Sequence, residues 1–455
     1  MDAELHVKEL VARARVAQKE FEKYTQEQVD AACRAMAKAI FDNAEPLARM
    51  AVDETRMGVY EDKIKKNQGK SRVIWNELKG KKSVGIIDRL PEQGLVLVAK
   101  PMGVVGAVTP TTNPIVTPMC NAMFALKGRN AIIICPHPRS KKCSGEAVRL
   151  MKEALAELNV PADIIQIIDE PTVELSGQVM KQCDVCISTG GMGMVRAAYA
   201  SGKPAFGVGA GNVQCMIDED ADLEKAIPMI IEGRRFDNGI ICSGEQTAIM
   251  PKAIYEKAIE IFKKNGCLYI DKPEDVAKLR ATLFPGGVMD KNVVGQTAKK
   301  VAELCGFAYG DDLKVILVKA DTYGKDDLLS KEKMCPVIAT YDFLETWEDC
   351  IKCANANLEV EGKGHSVCIH SNTPEHVEAA AQVLPVSRFL VNQICSTSNG
   401  GSFFNSLSAT TTLGCGSWGN NSISENLSWK HLFNVSRIAY VRPGATAPTD
   451  EEIWG

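Results

Sequence analysis

The sequence predicts an α/β architecture: a parallel sheet covered on both faces by helices, with a second α/β unit and a small β hairpin. Three observations carry that prediction. From residue 103 onward, short apolar runs alternate with amphipathic stretches of helical length. Four of the runs open into glycine-, proline- or hydroxyl-rich loops, TPTTNP (109–114), CPHPRS (135–140), STGG (188–191) and GVGAGN (207–212). Loops at strand carboxyl ends are where such sheets bind ligands. Finally, 455 residues exceed what one hydrophobic core supports, so two or three domains are expected.

The elements follow in order. Val7, Leu10, Val11, Ala14, Ala17 and Phe21 recur at three- and four-residue spacing and predict an amphipathic opening helix. Thr25 with Gln28 reads as a capping box that starts a second helix, with Val29, Met36 and Ile40 inward. Helical patterning continues over 45–55 and 60–78, the latter carrying the polar, basic Lys70-Ser71-Arg72. Over 83–101 the pattern changes to VGIID and LVLVAK joined by Pro91-Glu92-Gln93-Gly94, a hairpin suited to a dimer arm.

Strands are expected at 103–109, 131–135, 164–168 and 185–188, with helices at 114–126 and 145–158. Beyond residue 246 the spacing predicts helices at 253–264, 273–284 and 294–305, and strands at 315–318, 337–341 and 389–392. A long polar loop fills 393–421, and a last short strand at 438–441 is placed to reach a neighbouring subunit.

Composition narrows the function. Hydrophobic content of 45% and charge of 24% are those of a globular protein, and a net charge of -4 argues against nucleic acid or an anionic membrane as partner. The N-terminus lacks the apolar core of a secretory signal, and no apolar run reaches the eighteen or so residues of a membrane span. Sixteen unpatterned cysteines suggest a reducing, cytoplasmic setting. Cys183/Cys186 and Cys350/Cys353 form C-x-x-C pairs with no histidine beside them, so packing is the better reading than zinc, and no metal is expected.

The chemistry concentrates in RRFDNGIICSGEQ (234–246). A thiolate nucleophile needs small neighbours if a carbonyl is to approach, and Gly239, Ser243 and Gly244 supply them around Cys242. A cysteine taken alone is more often a small buried hydrophobe, so the context has to carry the assignment. No G-x-G-x-x-G stands at a strand-to-helix turn. A dinucleotide could still bind through His137, Arg139 and Ser140 to an adenosine phosphate, with Gly190 and Gly191 admitting the pyrophosphate.

TPTTNP, PHPR, GVGAGN, NGIICSGEQ, KEKMCPV (331–337) and LGCGSWGNNSISEN (413–426) together resemble the CoA-acylating branch of the aldehyde dehydrogenase superfamily, over essentially the whole chain. The resemblance implies the aldehyde dehydrogenase fold: a cofactor-binding domain (1–82 and 102–230), a catalytic domain (231–431) and an oligomerisation arm (83–101 and 432–455). It makes Cys242 the nucleophile that becomes an acyl-thioester, with its own amide and the Asn113 side chain as oxyanion donors. A gapless alignment with the hydrolytic enzymes instead places Thr112 opposite their oxyanion asparagine. Where those enzymes carry a water-activating glutamate in a segment resembling ELGGK, this chain has the apolar Val208. Loss of that base is typically worth about 10²–10⁴-fold, so the thioester is expected to await the thiol of coenzyme A, with His365 assisting its deprotonation.

The resemblance further assigns the cofactor loops to Thr109, Pro110, Thr111, Thr189, Gly190, Gly191 and Gly209. Glu332 falls at the nicotinamide ribose, and His137, Pro138, Arg139 and Ser140 at the adenosine ribose. Histidine and arginine there favour NADP, with NAD possible. Likeness at 70–76, MCNAM (119–123) and the terminal EEIWG implies succinyl-CoA and succinate semialdehyde as substrates; short uncharged aldehydes such as propionaldehyde are the alternative. A substrate carboxylate needs a cation or several donors, and Lys70, Arg72, Ser243, Ser396 and Thr397 are the candidates. A homodimer or homotetramer is implied.

Overall fold

The computed structural model describes residues 2–442 and 444–455. Four helices come first, α1 (Ala3–Phe21), α2 (Gln26–Asp42), α3 (Ala44–Thr55) and α4 (Tyr60–Leu78). Val7, Leu10, Val11, Ala14, Ala17 and Phe21 are all buried, and the Thr25–Gln28 capping box is formed in both directions. The hairpin β1 (Gly85–Leu90) and β2 (Leu95–Pro101) turns at Gly94, whose φ of 64° suits glycine.

Alternation then builds the first parallel sheet from β3 (Val104–Thr109), α5 (Val116–Lys127), β4 (Ala131–Pro136), α6 (Lys141–Ala156), β5 (Ile165–Ile167), α7 (Val173–Gln182), β6 (Val185–Thr189), α8 (Met192–Tyr199) and β7 (Ala205–Val208). Its order is β5-β4-β3-β6-β7. Every residue of β3 and β4 is buried, as strands covered on both faces require. The loops 109–114, 137–140, 189–191 and 209–212 therefore emerge along one edge.

The remainder comprises β8 (Gln214–Ile217), α9 (Leu223–Arg235), β9 (Thr247–Ala248), α10 (Lys252–Lys264), β10 (Cys267–Ile270), α11 (Pro273–Leu283), α12 (Ala298–Cys305), β11 (Val315–Lys319), β12 (Val337–Thr340), α13 (Trp347–Val360), β13 (Gly364–His370), α14 (Pro374–Val383), β14 (Val386–Val391), the single turn α15 (Cys395–Ser398), β15 (Phe433–Ala439) and α16 (Asp450–Trp454). Parallel sheets β10-β11-β12-β9 and β14-β13-β8 are joined by bridges Val213–Glu245 and Met216–Ile249.

Four expectations change. Strand β8 and helix α9 belong to this second core, with Cys215, Leu223 and Ile227 packed in it, so the chain crosses over near 209–212 and not at 230. The helix expected over 294–305 begins only at Ala298, because Gly295 is left-handed (φ 72°) and Thr297 caps the turn. The strand expected at 438–441 is β15, and it pairs antiparallel with β2 of the same chain. The loop 393–421 holds α15, and Ala409, Leu427 and Leu432 beyond it return to the first core. No described helix is long and apolar enough to cross a membrane.

Candidate active site

The approach to Cys242 is a strained turn. Asp237 and Asn238 have φ of 51° and 54°, and Gly239 has 71°. A non-glycine residue in this region costs roughly 1–2 kcal/mol, so the surroundings must hold it. The Asp237 carboxylate accepts from the Val59 N–H at 2.8 Å, Lys63 Nζ at 3.1 Å and Lys66 Nζ at 2.5 Å. Its own N–H donates to Asp62, and the Asn238 amide donates to the Gly295 carbonyl at 2.9 Å. Burial alone would raise the Asp237 carboxyl, but Lys66 and Lys63 hold it below the usual range.

Among the sixteen cysteines, all free, Cys242 is the one that is not buried. Its thiol is pushed up to about 12 by the desolvating pocket and then by the Glu332 carboxylate and Cys415, against the pull of Arg388. Gly211 touches its loop so closely that a Cβ there would lie 1.9 Å from the Cys242 carbonyl oxygen. Val208, Leu413 and Cys415 pack around the cysteine as an apolar cluster.

Cys242 opens into a cavity of about 450 Å³ whose wall includes Lys66, Lys70, Val73, Asn113, Ser243, Ser396 and Thr397. Asn113 Oδ1 accepts from Lys66 Nζ at 3.0 Å, which leaves the amide NH2 as its remaining donor. Thr112 lines a smaller adjoining hollow and does not reach the cavity wall. Ser243 Oγ donates to the Ser396 carbonyl at 3.1 Å, while Ser396 Oγ has no partner. Lys70 Nζ donates to the Gly400 carbonyl at 2.8 Å, and burial, followed by Lys66, brings its ammonium down to about 8.

Two expected site residues are elsewhere. Arg72 is exposed and lies over the Phe403 ring, 5.7 Å from its centroid, outside the cavity wall. Two helical positions turn a side chain roughly 200° from Lys70, so both cannot face one substrate. His365 sits on β13 with no exposed surface and no partner for either ring nitrogen. Burial and then Arg388 lower it to about 3, and it is absent from the cavity wall.

Along the strand-end edge, a Cβ added to Gly190 or Gly191 would meet nothing within 4 Å, and α8 starts at Gly191 without a side-chain cap. Gly209 lies against Met192 Sδ. Pro110 and Thr111 are half-buried, whereas Thr109 is buried with its hydroxyl unpaired. Thr189 Oγ1 lies 3.2 Å from Thr412 Oγ1. His137, Pro138 and Arg139 are exposed, but Ser140 is buried with its hydroxyl turned back to the His137 carbonyl, so it does not face the open loop. The free N–H groups of Lys142 and Cys143 at the start of α6 are taken by the Glu54 carboxylate at 2.9 and 2.8 Å. Glu332 is raised to about 8 by burial and then Glu361, with the Gly211 N–H pulling against them.

The network that sequence reasoning missed is Lys63–Asp237–Lys66. Its signal was present: Lys63, Lys66 and Lys70 recur at three and four positions on α4, one helical face.

The aldehyde dehydrogenase family profile matches residues 1–405. The chain is 51% identical over 455 residues, all of both chains, to succinate-semialdehyde dehydrogenase (acetylating) of Clostridium kluyveri. An acetylating aldehyde dehydrogenase from Geobacillus thermoglucosidasius superposes with a TM-score of 0.94 at 36% identity, covering 98% of each chain. The Rhodopseudomonas palustris propionaldehyde dehydrogenase, solved with bound CoA and an acylated cysteine, gives 0.84 at 27% identity over 96% of this chain and 97% of that one. The strained cysteine turn, the cavity it opens into and these relatives agree: the chain belongs to the aldehyde dehydrogenase family.

Proposed function

We propose that the protein catalyses the reversible NADP(H)-dependent interconversion of succinyl-CoA with succinate semialdehyde and CoA, through an acyl-thioester on Cys242. The observation that carries this reading is the apolar cluster of Val208, Leu413 and Cys415 against Cys242, where a water-activating carboxylate would have to stand. Cys242 Sγ adds to the aldehyde carbonyl, and the Asn113 amide, aimed by Lys66, donates to the oxyanion. A nicotinamide cofactor held by the strand-end loops and Glu332 would supply the hydride acceptor. With the apolar Val208 at the position of the water-activating glutamate and Glu332 assigned to the nicotinamide ribose, the thioester on Cys242 persists until the CoA sulfur displaces it, a near-balanced exchange that runs both ways.

The residues present fit a dinucleotide. Gly190 and Gly191 leave open space at an uncapped helix start, and Glu332 stands beside Cys242 for the nicotinamide ribose. His137 and Arg139 support a 2′-phosphate, whereas Glu54 sets a like charge beside it. Comparing kcat/KM for NADPH and NADH measures that balance. Lys70, Ser243, Ser396 and Thr397 are assigned to the substrate carboxylate. The sheet β1-β2-β15 is assigned as the oligomerisation arm of a homodimer or homotetramer, with Tyr440 and Val441 exposed just past its edge strand. Sixteen free thiols support a cytoplasmic, reducing setting.

Mass spectrometry of the enzyme with succinate semialdehyde and NADP, CoA withheld, tests the mechanism. A succinyl adduct on Cys242 is expected, and CoA should discharge it. Free succinate released at the full turnover rate, or an adduct elsewhere, refutes it. Equal kcat/KM for propionyl-CoA and succinyl-CoA would instead favour an uncharged aldehyde.

A further inference from the structure

A second cluster of soft donors lies behind the cavity wall. Cys215 on β8 and Cys368 on β13 are register partners in adjacent parallel strands, and His370, two positions along β13, shares the face of Cys368. Their three donor atoms all lie within 4.8 Å of one another, and none of the residues is more than 1% exposed. Cys368 Sγ is 3.6 Å from His370 Nε2. Tetrahedral zinc, with bonds of about 2.3 Å to sulfur and 2.0–2.1 Å to nitrogen, sets those two ligands about 3.6 Å apart.

Polar atoms in the same core also lack partners. Glu245, fully buried, accepts the Cys395 N–H on one carboxylate oxygen at 2.7 Å, but its Oε2 has no partner. His370 Nδ1 is also unpaired. Buried polar atoms are rarely left so.

We propose that Cys215, Cys368 and His370 form a buried three-ligand site for a d10 cation, Zn²⁺ being the biological candidate. Binding releases the two thiol protons to buffer and leaves a neutral imidazole and two thiolates on the ion. The set is not a linear motif, because its members come from two strands far apart in sequence, and it is separate from Cys183/Cys186 and Cys350/Cys353. Its position has a consequence for the cavity. Cys368 Sγ lies 3.5 Å from the Gln393 carbonyl, just ahead of the wall residues Ile394, Ser396 and Thr397, so an ion held by Cys368 sits at the base of that wall.

The test uses full-length Cys242→Ala protein, which removes the active-site thiol as a competing ligand. It is produced in medium supplemented with zinc or with cadmium and passed over a chelating resin. One ion per chain is expected by elemental analysis, and the cadmium form should show a thiolate-to-metal charge-transfer band. Cys368→Ser should lower the metal content at least tenfold, whereas Cys33→Ser, at a buried thiol far from the cluster, should leave it unchanged. If Cys368→Ser does not fold, His370→Gln carries the same expectation. Less than one-tenth of an ion per chain in the parent, or retention unaffected by these substitutions, overturns the proposal.

Discussion

Replacing Lys70 by methionine isolates the contact proposed for the substrate carboxylate. Methionine keeps much of the apolar stem and removes the ammonium, so the cavity wall stays filled. Nζ is already anchored 2.8 Å from the Gly400 carbonyl, so little further ordering is needed when a carboxylate arrives. A hydrogen bond to a charged group contributes about 1.5–3 kcal/mol, or about 10- to 150-fold in affinity. KM for succinyl-CoA should rise by about that factor in Lys70→Met, while propionyl-CoA, with no carboxylate to place, should change by less than about threefold. The pH dependence adds a second signature. Lys70 is brought down to about 8, so its cation is present below pH 8 and lost as the pH rises through that value. KM for succinyl-CoA in the wild type should therefore climb above pH 8, and Lys70→Met should lack the inflection. The assay is steady-state oxidation of NADPH with each acyl-CoA across pH 6–9.5. Parallel losses for both substrates, or an unchanged inflection in the variant, would refute the reasoning.

Three other substitutions address the catalytic turn. Glu332, raised to about 8, is neutral well below that pH and charged above it, and its charge raises Cys242. Glu332→Gln should speed iodoacetamide alkylation of cofactor-free enzyme at pH 9 and leave it unchanged at pH 6; identical rates at both would remove the electrostatic link. Gly211→Ala puts a Cβ 1.9 Å from the Cys242 carbonyl, so kcat should fall at least about 10²-fold with circular dichroism unaltered. Near wild-type turnover would show that the two loops can separate freely. Lys66→Met removes the anchor of the Asn113 carbonyl, so kcat should drop about 10²-fold, the scale of one oxyanion donor. Adding Asn113→Ala to it should then cost little more, and fully additive losses would place Lys66 outside that function.

Much of this was legible from residues alone, for identifiable reasons. The opening helices carried both a 3.6-residue period and a capping box, two local signals that agree, and β3 and β4 read as buried strands because parallel pairing covers both faces. Cys242 stood out because its glycine neighbours and the family likeness coincided. What escaped was fixed by contacts distant in sequence. Only the fold turns α4 so that Lys70 enters the cavity and Arg72 leaves it. Glycines at 362 and 364 masked β13, and with it the burial of His365. Strand β8 changed sheets through bridges to residues 245 and 249 that no local pattern encodes. The tie from Lys66 to Asp237 spans 171 positions.

Helix α4 presents Gly69, Lys70 and Val73 to the same hollow. A helix advances 1.5 Å per residue, so carrying the ammonium from position 70 to position 73 shifts it about 4.5 Å along the axis, roughly the length of three or four methylene groups. The helix is thereby a ruler for acyl chains, and Lys70→Val combined with Val73→Lys should re-register which dicarboxylic thioester fits. Chain-length preference in this scaffold becomes a matter of which rung holds the charge.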